Sequence, residues 1–599
     1  MKRHEIEHQA KSAYAYQVDL ETIHIRLKAI KNTVQTVELV YGDPFMWGMN
    51  EQTKEFEWMR ESQQSHTLTK EASTSSYDFY FTEIKVPSKR VKYAFLINNQ
   101  YLYGSRDLVD LKELPQEKYN LFNYFNFPYL LEVDQYNAPS WVKDTIWYSI
   151  FPDRFYNHEN KQDNLTPWES TKDYQNNQFY GGNLKGIKEK LPYIKEMGFD
   201  GLYMTPIFLS PSAHKYDTID YLEIDPSFGT KEDLKDLVDE AHKLGIKVML
   251  DAVFNHTSVK HPFFLDVIKK GKDSLYYNAF YVKRTPISKT STKRHGGHVD
   301  FDLDYETFAF SPNMPKTNTE DKLMREHLLH VSRYWIEHFD IDGWRLDVSN
   351  EISHDFWRDF RKVVKKTKED AFILGENWDN SMPWLQGDQF DAVMNYEFMY
   401  PIWSYFGTNI KQVSYSGEDL KNAINQTIFS YPKNVITNMF NLVDSHDTAR
   451  IAEICEGNTN LLKLVYLFQF SLPGAPSIYY GGEIGLRGNH DPDNRRCMIW
   501  DQTRQDKDLK LFMKNLTKLY HQEEGFKSPN LRWIMTNKHV LIYQKEDLLF
   551  VLNKSPHEEA IQLEDQYEGR DLFTKDQIKL NKNTRLSPYQ AYVMKLQVK

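Results

Sequence analysis

From about residue 144 to about residue 500, short apolar segments alternate with amphipathic helical patterns. The first segment, 146–151, is followed by a helical pattern over 184–197 that Gly198 ends. Buried parallel strands consist of short apolar runs, and the helices that cover them bury one face. About eight such units predict an α/β fold of the (β/α)8 TIM-barrel class. The predicted strands are 146–151, 202–204, 248–250, 343–346, 372–374, 392–394, 435–440 and 478–480.

One connection in this pattern is far longer than the others. Between His256 and a helical pattern that starts near Asp321 lie about 60 residues with little helical periodicity, well above the usual length of a connection. Long connections in compact domains commonly carry function. We therefore predict a lobe over about 257–320, inserted after the third barrel strand.

The two ends of the chain show a different periodicity from the centre. Residues 23–27 and 34–40 alternate between apolar and polar side chains, which predicts half-buried antiparallel strands and a β-sandwich over 1–130. The barrel is expected over 131–505. After a helix near 509–520, further alternation at 540–544, 548–552 and 591–596 predicts an antiparallel β-sandwich over 506–599.

Charge and composition exclude several classes of partner. A net charge of −10 over 599 residues argues against nucleic acid as the main partner. The longest apolar stretch, 461–480, is interrupted by Lys463, Gln469 and a Pro-Gly pair, so no membrane span is expected. The polar first sixteen residues contain no apolar signal region, so a cytoplasmic location is expected. Two cysteines do not indicate a disulfide scaffold.

Polar side chains follow four of the predicted strands: Asp251, Arg345 with Asp347, Glu376, and the segment 444–447. The carboxyl ends of barrel strands meet at one face, where catalytic groups of this fold lie. Glycoside cleavage needs two carboxyl groups in separate roles, and adjacent strand ends can supply them.

Each group in this set has its own expected effect. Arg345 favours the ionised form of Asp347, and crowding by Asp347 and Asp447 favours the protonated form of Glu376. Asp251 either joins the site or only supports Arg345. A single carboxyl at a strand end is more often a helix cap or a solvated group, so the prediction depends on all four strand ends together.

Four segments together resemble the signature segments of the α-amylase family, glycoside hydrolase family 13, and occur in the same order. The resemblance implies Asp347 as nucleophile, Glu376 as general acid/base and Asp447 as stabiliser of the transition state. It also implies that further side chains line the reacting glucose: His214, Tyr216, His256, Arg345 and His446. The four segments are DAVFNH (251–256), GWRLDVSNE (343–351), GENWD (375–379) and DSHDTAR (444–450).

A fifth segment narrows the resemblance. NMPKTNTE (313–320) is similar to the MPKLN segment of neopullulanases, cyclomaltodextrinases and maltogenic amylases, although Thr317 stands where that group usually has leucine. Asn350 with Glu351, Trp378 and DPDNRR (491–496) also resemble this group. The resemblance implies that Asp491 and Arg495 contact the next glucose on the non-reducing side and that Trp378 contacts the acceptor sugar. Phe310 is expected to pack against the ring of a cyclic substrate, and Asp251 and Glu351 are further expected substrate-binding residues.

The resemblance also implies a substrate class and a partner. In this subgroup the N-terminal β-module is carbohydrate-binding-like and forms a homodimer that covers the partner's cleft, which favours cyclodextrins and short maltooligosaccharides; the alternative is a plain spacer. We expect hydrolysis of α-1,4 and some α-1,6 bonds, in pullulan too, with transglycosylation. A dedicated glucanotransferase and a non-catalytic binding barrel are the alternatives.

No cofactor is required for this chemistry, but the resemblance implies a structural Ca²⁺ site near the first barrel strand. Glu159, Gln162 and Asn183 stand where the family has Asp, Asn and Asp. The loss of negative charge is expected to weaken the site, although the oxygen donors that Ca²⁺ prefers remain. The implied metal-binding residues are Asn157, Glu159, Asp163, Gly181 and Asn183.

Overall fold

A computed structural model of the protein describes residues 1–51, 54, 56–159, 165–168, 174–290, 293–295, 298–300 and 302–597, with the backbone alone for 293–295 and 298–300. In this part of the chain, N-terminal antiparallel sheets precede a parallel sheet of eight strands, and further antiparallel strands follow it. The fold class predicted from the sequence is therefore confirmed.

The central sheet is a parallel barrel. Its strands are β1 (Trp147–Ile150), β2 (Gly201–Met204), β3 (Lys247–Ala252), β4 (Gly343–Leu346), β5 (Phe372–Gly375), β6 (Ala392–Val393), β7 (Phe440–Asn441) and β8 (Ala475–Tyr479). They pair in the order β6-β5-β4-β3-β2-β1-β8-β7. A parallel bridge between Met394 and Phe440 joins the two ends of this order and closes the ring.

Amphipathic helices cover most of the barrel. In Lys231–Lys243, for example, Thr230 caps the first turn and Leu234, Leu237, Val238 and Ala241 are buried against the sheet. No helix in the described residues is long and apolar enough to cross a membrane. The α-helices of the barrel region are Pro152–Phe155, Leu184–Glu196, Lys231–Lys243, Pro262–Lys270, Lys322–Phe339, His354–Thr367, Tyr396–Phe406, Gly417–Phe429, Lys433–Ile436, Ile451–Ile454, Thr459–Ser471 and Lys507–Gln522.

One predicted strand is wrong in its bounds. The apolar run 435–440 was expected to be strand seven, but Val435 and Ile436 belong to the helix Lys433–Ile436 and the strand is only Phe440–Asn441. Pro432 precedes this helix, where the missing N–H of proline costs nothing. A short buried apolar run does not distinguish helix from strand by its periodicity, which explains the error.

The connection from β5 to β6 contains a single 3-10 turn, Met382–Trp384, in place of an α-helix. The segment that leads from the N-terminal module into the barrel runs along this connection. The Tyr136 hydroxyl donates to the Asp391 carbonyl oxygen, and Arg361 Nη2 donates to the Asn137 carbonyl oxygen at 3.0 Å. Gly387 of this connection also approaches the segment closely, because a Cβ atom at this position would lie only 3.2 Å from the Gln135 carbonyl oxygen.

The inserted lobe begins after β3, as predicted. It contains the helix Pro262–Lys270 and a short antiparallel pair, Lys293–His295 with His298–Asp300. Its last segment returns beside the end of β3, where His256 pairs with Lys316 in an antiparallel bridge.

The N-terminal module consists of two packed antiparallel sheets. Alternate residues of the longest strand, Ile23, Ile25 and Leu27, point into the core between them. The first sheet contains Ile6–Glu7, Ala15–Gln17, Thr22–Ile30, Tyr77–Lys85 and Thr69–Ser73; the second contains Leu108–Asp110, Tyr101–Tyr103, Val91–Ile97, Val37–Gly42, Gln64–Thr67 and Phe125–Phe127. A separate hairpin pairs Trp47–Met49 with Phe56–Trp58.

The C-terminal module packs one sheet face against the barrel and the other against its own small core. Leu541 and Tyr543 belong to the barrel-side core, whereas Val540 and Ile542 belong to the core of the module. Its main sheet contains Arg532–Thr536, Val540–Lys545, Leu548–Asn553, Ala591–Leu596, Tyr567–Asp571 and Gln577–Leu580, and Glu559–Gln562 pairs with Asn583–Leu586.

The N-terminal module is fixed to the barrel by buried contacts. The Phe79 ring stacks on Phe429 of the helix Gly417–Phe429, with ring centroids 4.5 Å apart. Arg26 is fully buried, and its Nη1 donates to the Tyr431 carbonyl oxygen at 2.6 Å. The module therefore shares a buried interface with the barrel.

We expect Phe79→Ala to lower the free energy of unfolding by about 3 kcal/mol, because it removes a buried ring and leaves a cavity. Chemical denaturation measures the change. Tyr77→Ala, two residues away on the same strand and partly exposed, is the matched control and should cost much less. Equal losses in the two variants would contradict the role assigned to this interface.

Candidate active site

A cleft of about 460 Å³ opens at the carboxyl ends of the barrel strands. This volume lies within the usual range of small-molecule sites. Nine of the residues predicted for the site form part of its wall. The wall consists of Asn176, His214, Tyr216, His256, Phe308, Met314, Asp347, Val348, Asn350, Glu376, Trp378, Asp447, Asp491 and Arg495.

Arg345, on β4, is the centre of the site. Its side chain is fully buried, and Nη1 donates to Asp347 Oδ1 at 2.7 Å and to Asp251 Oδ2 at 2.9 Å. Its Nη2 lies 2.7 Å from Glu376 Oε2 as an ion pair. One guanidinium group therefore holds the carboxyl groups from the ends of three neighbouring strands.

These three carboxyl groups share a single full positive charge. Burial, together with the charges of Glu376 and Asp251, raises the pKa of Asp347 well above its ordinary value despite Arg345. When buried acids interact this strongly, a proton belongs to the group and not to one member. Arg345 favours the ionised form of Asp347, as expected from the sequence, but burial and the neighbouring carboxylates outweigh that effect.

Asp447 is held by His446 and Arg495. Its carboxylate is 3.0 Å from His446 Nε2 and 3.2 Å from Arg495 Nη2, and Arg495 Nη2 lies 3.7 Å from Asp491. Burial alone would raise the pKa of Asp447, but these partners hold it below its usual range. Asp447 is therefore present as a carboxylate that faces the cleft.

Aromatic rings and neutral imidazoles complete the inner wall. Tyr216 stacks parallel to His446, with centroids 5.6 Å apart, and its hydroxyl donates to Asp251 Oδ2 at 3.1 Å. Burial lowers the pKa of His256 to about 3 and that of His214 to about 4, so both are uncharged at neutral pH. Neutral imidazoles and a flat ring suit the hydroxyls and the face of a sugar.

Some predicted residues lie behind or outside the cleft. Asp251, Arg345 and His446 are buried behind its wall, where they orient the groups in front of them. Glu351 is half exposed beside the cleft; Lys316 Nζ donates to its carbonyl oxygen at 3.0 Å.

Phe310, which is expected to pack against the ring of a cyclic substrate, is not among the residues of the cleft wall. Phe308, two residues earlier, is the ring in the wall; it stacks on His256 with centroids 4.8 Å apart, whereas the Phe310 side chain is 73% exposed. Ala309 between them has a φ of 43°, so the chain turns there and the two rings separate. Aromatic identity alone did not distinguish the two positions in the sequence.

The segment 313–320 anchors the lobe to the end of β3. The backbone N–H of Thr317 donates to the Asn255 carbonyl oxygen at 3.0 Å, and its hydroxyl donates to the Phe254 carbonyl oxygen at 2.5 Å. A buried hydroxyl needs such an acceptor. Threonine therefore fits at the position where the subgroup usually has leucine, and the segment keeps His256 in place.

Several residues of the wall were missed by reasoning from the sequence. Val348 and Asn350 lie within the quoted segment 343–351 and could have been found by their position beside Asp347. Met314 belongs to the segment 313–320 that carries the resemblance, whereas Asn176 reaches the cleft only through the fold of a distant loop that no pattern in the sequence signals.

The predicted calcium-binding residues are partly engaged with the protein. Asn183 caps the helix Leu184–Glu196, because its Oδ1 accepts the Gly186 N–H at 2.8 Å. Asn157 Nδ2 donates to the Tyr180 carbonyl oxygen at 3.4 Å, Glu159 lies on a surface turn, and Gly181 offers only its backbone. Asp163 lies outside the described residues, within which no cluster of three or more His, Cys, Asp or Glu side chains could hold a metal ion.

Family models match almost the whole chain. The model of the α-amylase catalytic domain matches residues 149–539, and that of the α-amylase N-terminal Ig-like domain matches residues 1–131. The chain belongs to the α-amylase family. It is therefore a glycoside hydrolase by descent, as the signature segments predicted.

Relatives within the α-amylase family resemble the chain over nearly its full length. A cyclomaltodextrinase of Geobacillus thermopakistaniensis is 41% identical, with 93% of this chain and 92% of that protein covered. An intracellular maltogenic amylase of Bacillus subtilis is 39% identical over 86% of this chain and 84% of that protein. A solved cyclomaltodextrinase structure superimposes with a TM-score of 0.89 at 36% identity, covering 100% and 99% of the two chains.

Asp444, in the same family segment as Asp447, is buried behind the cleft. Its Oδ2 accepts the Ile451 N–H at 2.9 Å. Burial raises its pKa from 3.8 to about 6. Between these values the folded chain holds a proton that the unfolded chain has lost, so stability falls as the pH rises from about 4 to about 6.

We expect Asp444→Asn to remove this dependence. The difference in unfolding free energy between the wild type and the variant should fall by at most about 3 kcal/mol from pH 4 to pH 6 and stay flat above it. Urea denaturation at a series of pH values measures it, with the exposed Asp565→Asn as control. A difference that does not change with pH would contradict the shift.

Proposed function

We propose that the chain hydrolyses α-1,4-glucosidic bonds, and some α-1,6 bonds, with retention at the anomeric carbon. The observation that carries the proposal is Arg345, which contacts both Asp347 and Glu376 at 2.7 Å. Two carboxyl groups held by one guanidinium lie close together. This supports a retaining reaction, which needs them about 5 Å apart, over an inverting one, which needs room for a water between them.

The proposed reaction has two balanced steps. Asp347 attacks the anomeric carbon while the bond to the leaving sugar breaks and Glu376 gives its proton to the departing oxygen. Water then attacks the same carbon, Glu376 takes a proton from that water, and the bond to Asp347 breaks. Asp447, held ionised by His446 and Arg495, accepts hydrogen bonds from sugar hydroxyls as positive charge develops on the ring.

We propose cyclodextrins and short maltooligosaccharides as the preferred substrates, with pullulan as a further one. The volume of the cleft suits a few sugar units, and Tyr216, Phe308 and Trp378 offer flat apolar surfaces to them. The names of the cyclomaltodextrinase and maltogenic amylase relatives support the same class. We further propose transfer to sugar acceptors as a side reaction. A cytoplasmic location is proposed in line with the relative named as an intracellular maltogenic amylase. We also propose a weak structural Ca²⁺ site near Asn157.

We propose a homodimer through the N-terminal module. The hairpin of Trp47–Met49 and Phe56–Trp58 exposes large apolar side chains, and Trp47 stacks on Phe56 with centroids 6.0 Å apart. Clustered exposed apolar groups of this kind mark interaction surfaces. The exposed fractions are 72% for Phe45, 44% for Met46, 41% for Trp47, 62% for Met49 and 65% for Phe56.

Product analysis on β-cyclodextrin, pullulan and soluble starch tests the reaction and the preference. We expect maltose and glucose from cyclodextrin, with faster turnover of cyclodextrin than of starch. Asp347→Asn should lower hydrolysis by several orders of magnitude, because no nucleophile remains. Near-normal turnover by this variant would overturn the mechanism, and products that are only larger or cyclic glucans would favour a glucanotransferase.

Sedimentation equilibrium tests the dimer. We expect twice the mass of one chain at micromolar concentration, and a shift towards one chain in a Phe45→Ser/Phe56→Ser variant, which removes apolar contact area. Leu511→Ser, exposed on the helix Lys507–Gln522, is the matched control. A wild-type mass equal to one chain would count against the proposal.

A further inference from the structure

The two oxygens of Glu376 have different surroundings. Oε2 accepts the backbone N–H of Val348 at 2.9 Å and lies 2.7 Å from Arg345 Nη2. Oε1 accepts the indole N–H of Trp378 at 3.2 Å. Because Oε2 already faces two donors, the transferable proton of Glu376 is expected on Oε1, the oxygen that Trp378 contacts.

The backbone that supplies the Val348 N–H is itself held in an unusual form. Val348 has φ 45° and ψ 45°, a left-handed conformation that β-branched residues rarely adopt. This turn directs the backbone N–H of Val348, the residue after the nucleophile, at Glu376 at the end of the adjacent strand β5, so the main chain helps to fix Oε2. Among the described residues, Trp378 is the donor that contacts Oε1.

The orientation of Trp378 is fixed by packing. Its ring lies parallel to the buried Tyr396 ring, with centroids 4.0 Å apart and an interplanar angle of 5°. The Tyr396 hydroxyl lies 3.3 Å from the Ser445 hydroxyl, and the Trp378 side chain is 37% exposed in the wall of the cleft. The indole N–H therefore points at Oε1 while the ring remains available to a sugar.

We propose that Trp378 is a positioning residue for the general acid/base: its indole N–H orients Oε1 of Glu376 and stabilises the carboxylate form. The inference rests on the proposed function and deepens it, because the resemblance assigns to Trp378 only contact with the acceptor sugar. A donor to the ionised form favours that form. Trp378 would thus set the pH at which Glu376 stops acting as an acid, and would support its later action as a base.

Substitution of Trp378 removes none of the other charged and titratable groups around Glu376. Arg345 and Asp347 face it from β4, Asp251 and Tyr203 lie behind Arg345 on β3 and β2, and Tyr396 lies on the next helix with Asp447 beyond it. A change in pH dependence after loss of the indole N–H alone can therefore be assigned to that bond.

The test compares kcat/KM over pH for the wild type, Trp378→Phe and Trp378→Leu on maltotetraose. Phenylalanine keeps an aromatic face without the N–H, and leucine keeps neither. In both variants we expect the basic limb of the profile to move to higher pH by about half to one unit, as loss of a donor to a carboxylate requires. Only leucine should also raise KM strongly.

A substrate with an activated leaving group separates the acid step from other effects. α-Maltosyl fluoride leaves with little need for a proton, so kcat/KM on it should show no such shift of the basic limb in either variant. Trp141→Phe is the matched control: it removes an indole N–H that donates to the Asp370 carbonyl oxygen at 3.1 Å, before β5 and at the opposite end of the barrel.

The outcomes are distinct. A basic limb that does not move in Trp378→Phe or Trp378→Leu, with only KM altered, would overturn the inference and leave Trp378 as a sugar platform. An equal shift in Trp141→Phe, or the same shift on the fluoride, would also overturn it. Failure of the proposed function is seen separately, as absence of hydrolysis by the wild type.

Discussion

The site depends on one buried guanidinium group. Arg345 is fully enclosed, and its two amino groups contact carboxyl groups from the ends of β3, β4 and β5. Without it, three acids would face each other in an apolar setting, which is unfavourable for all of them. A lysine could offer one charge but not the planar fork that reaches several partners at fixed angles. Arg345 therefore connects the ends of three barrel strands and also balances the charge of the carboxyl groups at the cleft.

The lobe and the segment 313–320 hold the other side of the cleft. The bridge between His256 and Lys316 and the two hydrogen bonds of Thr317 tie the returning chain to the end of β3. This places Phe308 over His256, so the aromatic wall and the neutral imidazole form together. The inserted lobe is thus part of the wall of the site. The segment 313–320, which is distinctive of the subgroup, fixes the lobe to the end of β3.

Much of this could be predicted from the sequence, because buried strands, capped helices and polar strand ends leave local patterns. The barrel, the lobe and the convergence of Asp347, Glu376 and Asp447 followed from those patterns and from the four segments. What failed depended on tertiary structure. The bounds of the strand near 435–440 were wrong because a short apolar run fits a helix or a strand, and the presence of Phe308 in the wall, which was not foreseen, depends on the left-handed conformation at Ala309. The hydrogen bond between Trp378 and Glu376 likewise needs the packing of Tyr396, which lies in another element.

The connection from β5 to β6 carries Trp378 and has no covering helix. The segment from Gln135 to Asn137 takes the place of that helix, through the contacts of Tyr136 with Asp391 and of Asn137 with Arg361. A stretch of chain that begins as an interdomain linker is thus a piece of the barrel's outer layer. A change in this linker is therefore expected to act on the connection that carries Trp378, through the contacts of Tyr136 with Asp391 and of Gln135 with Gly387.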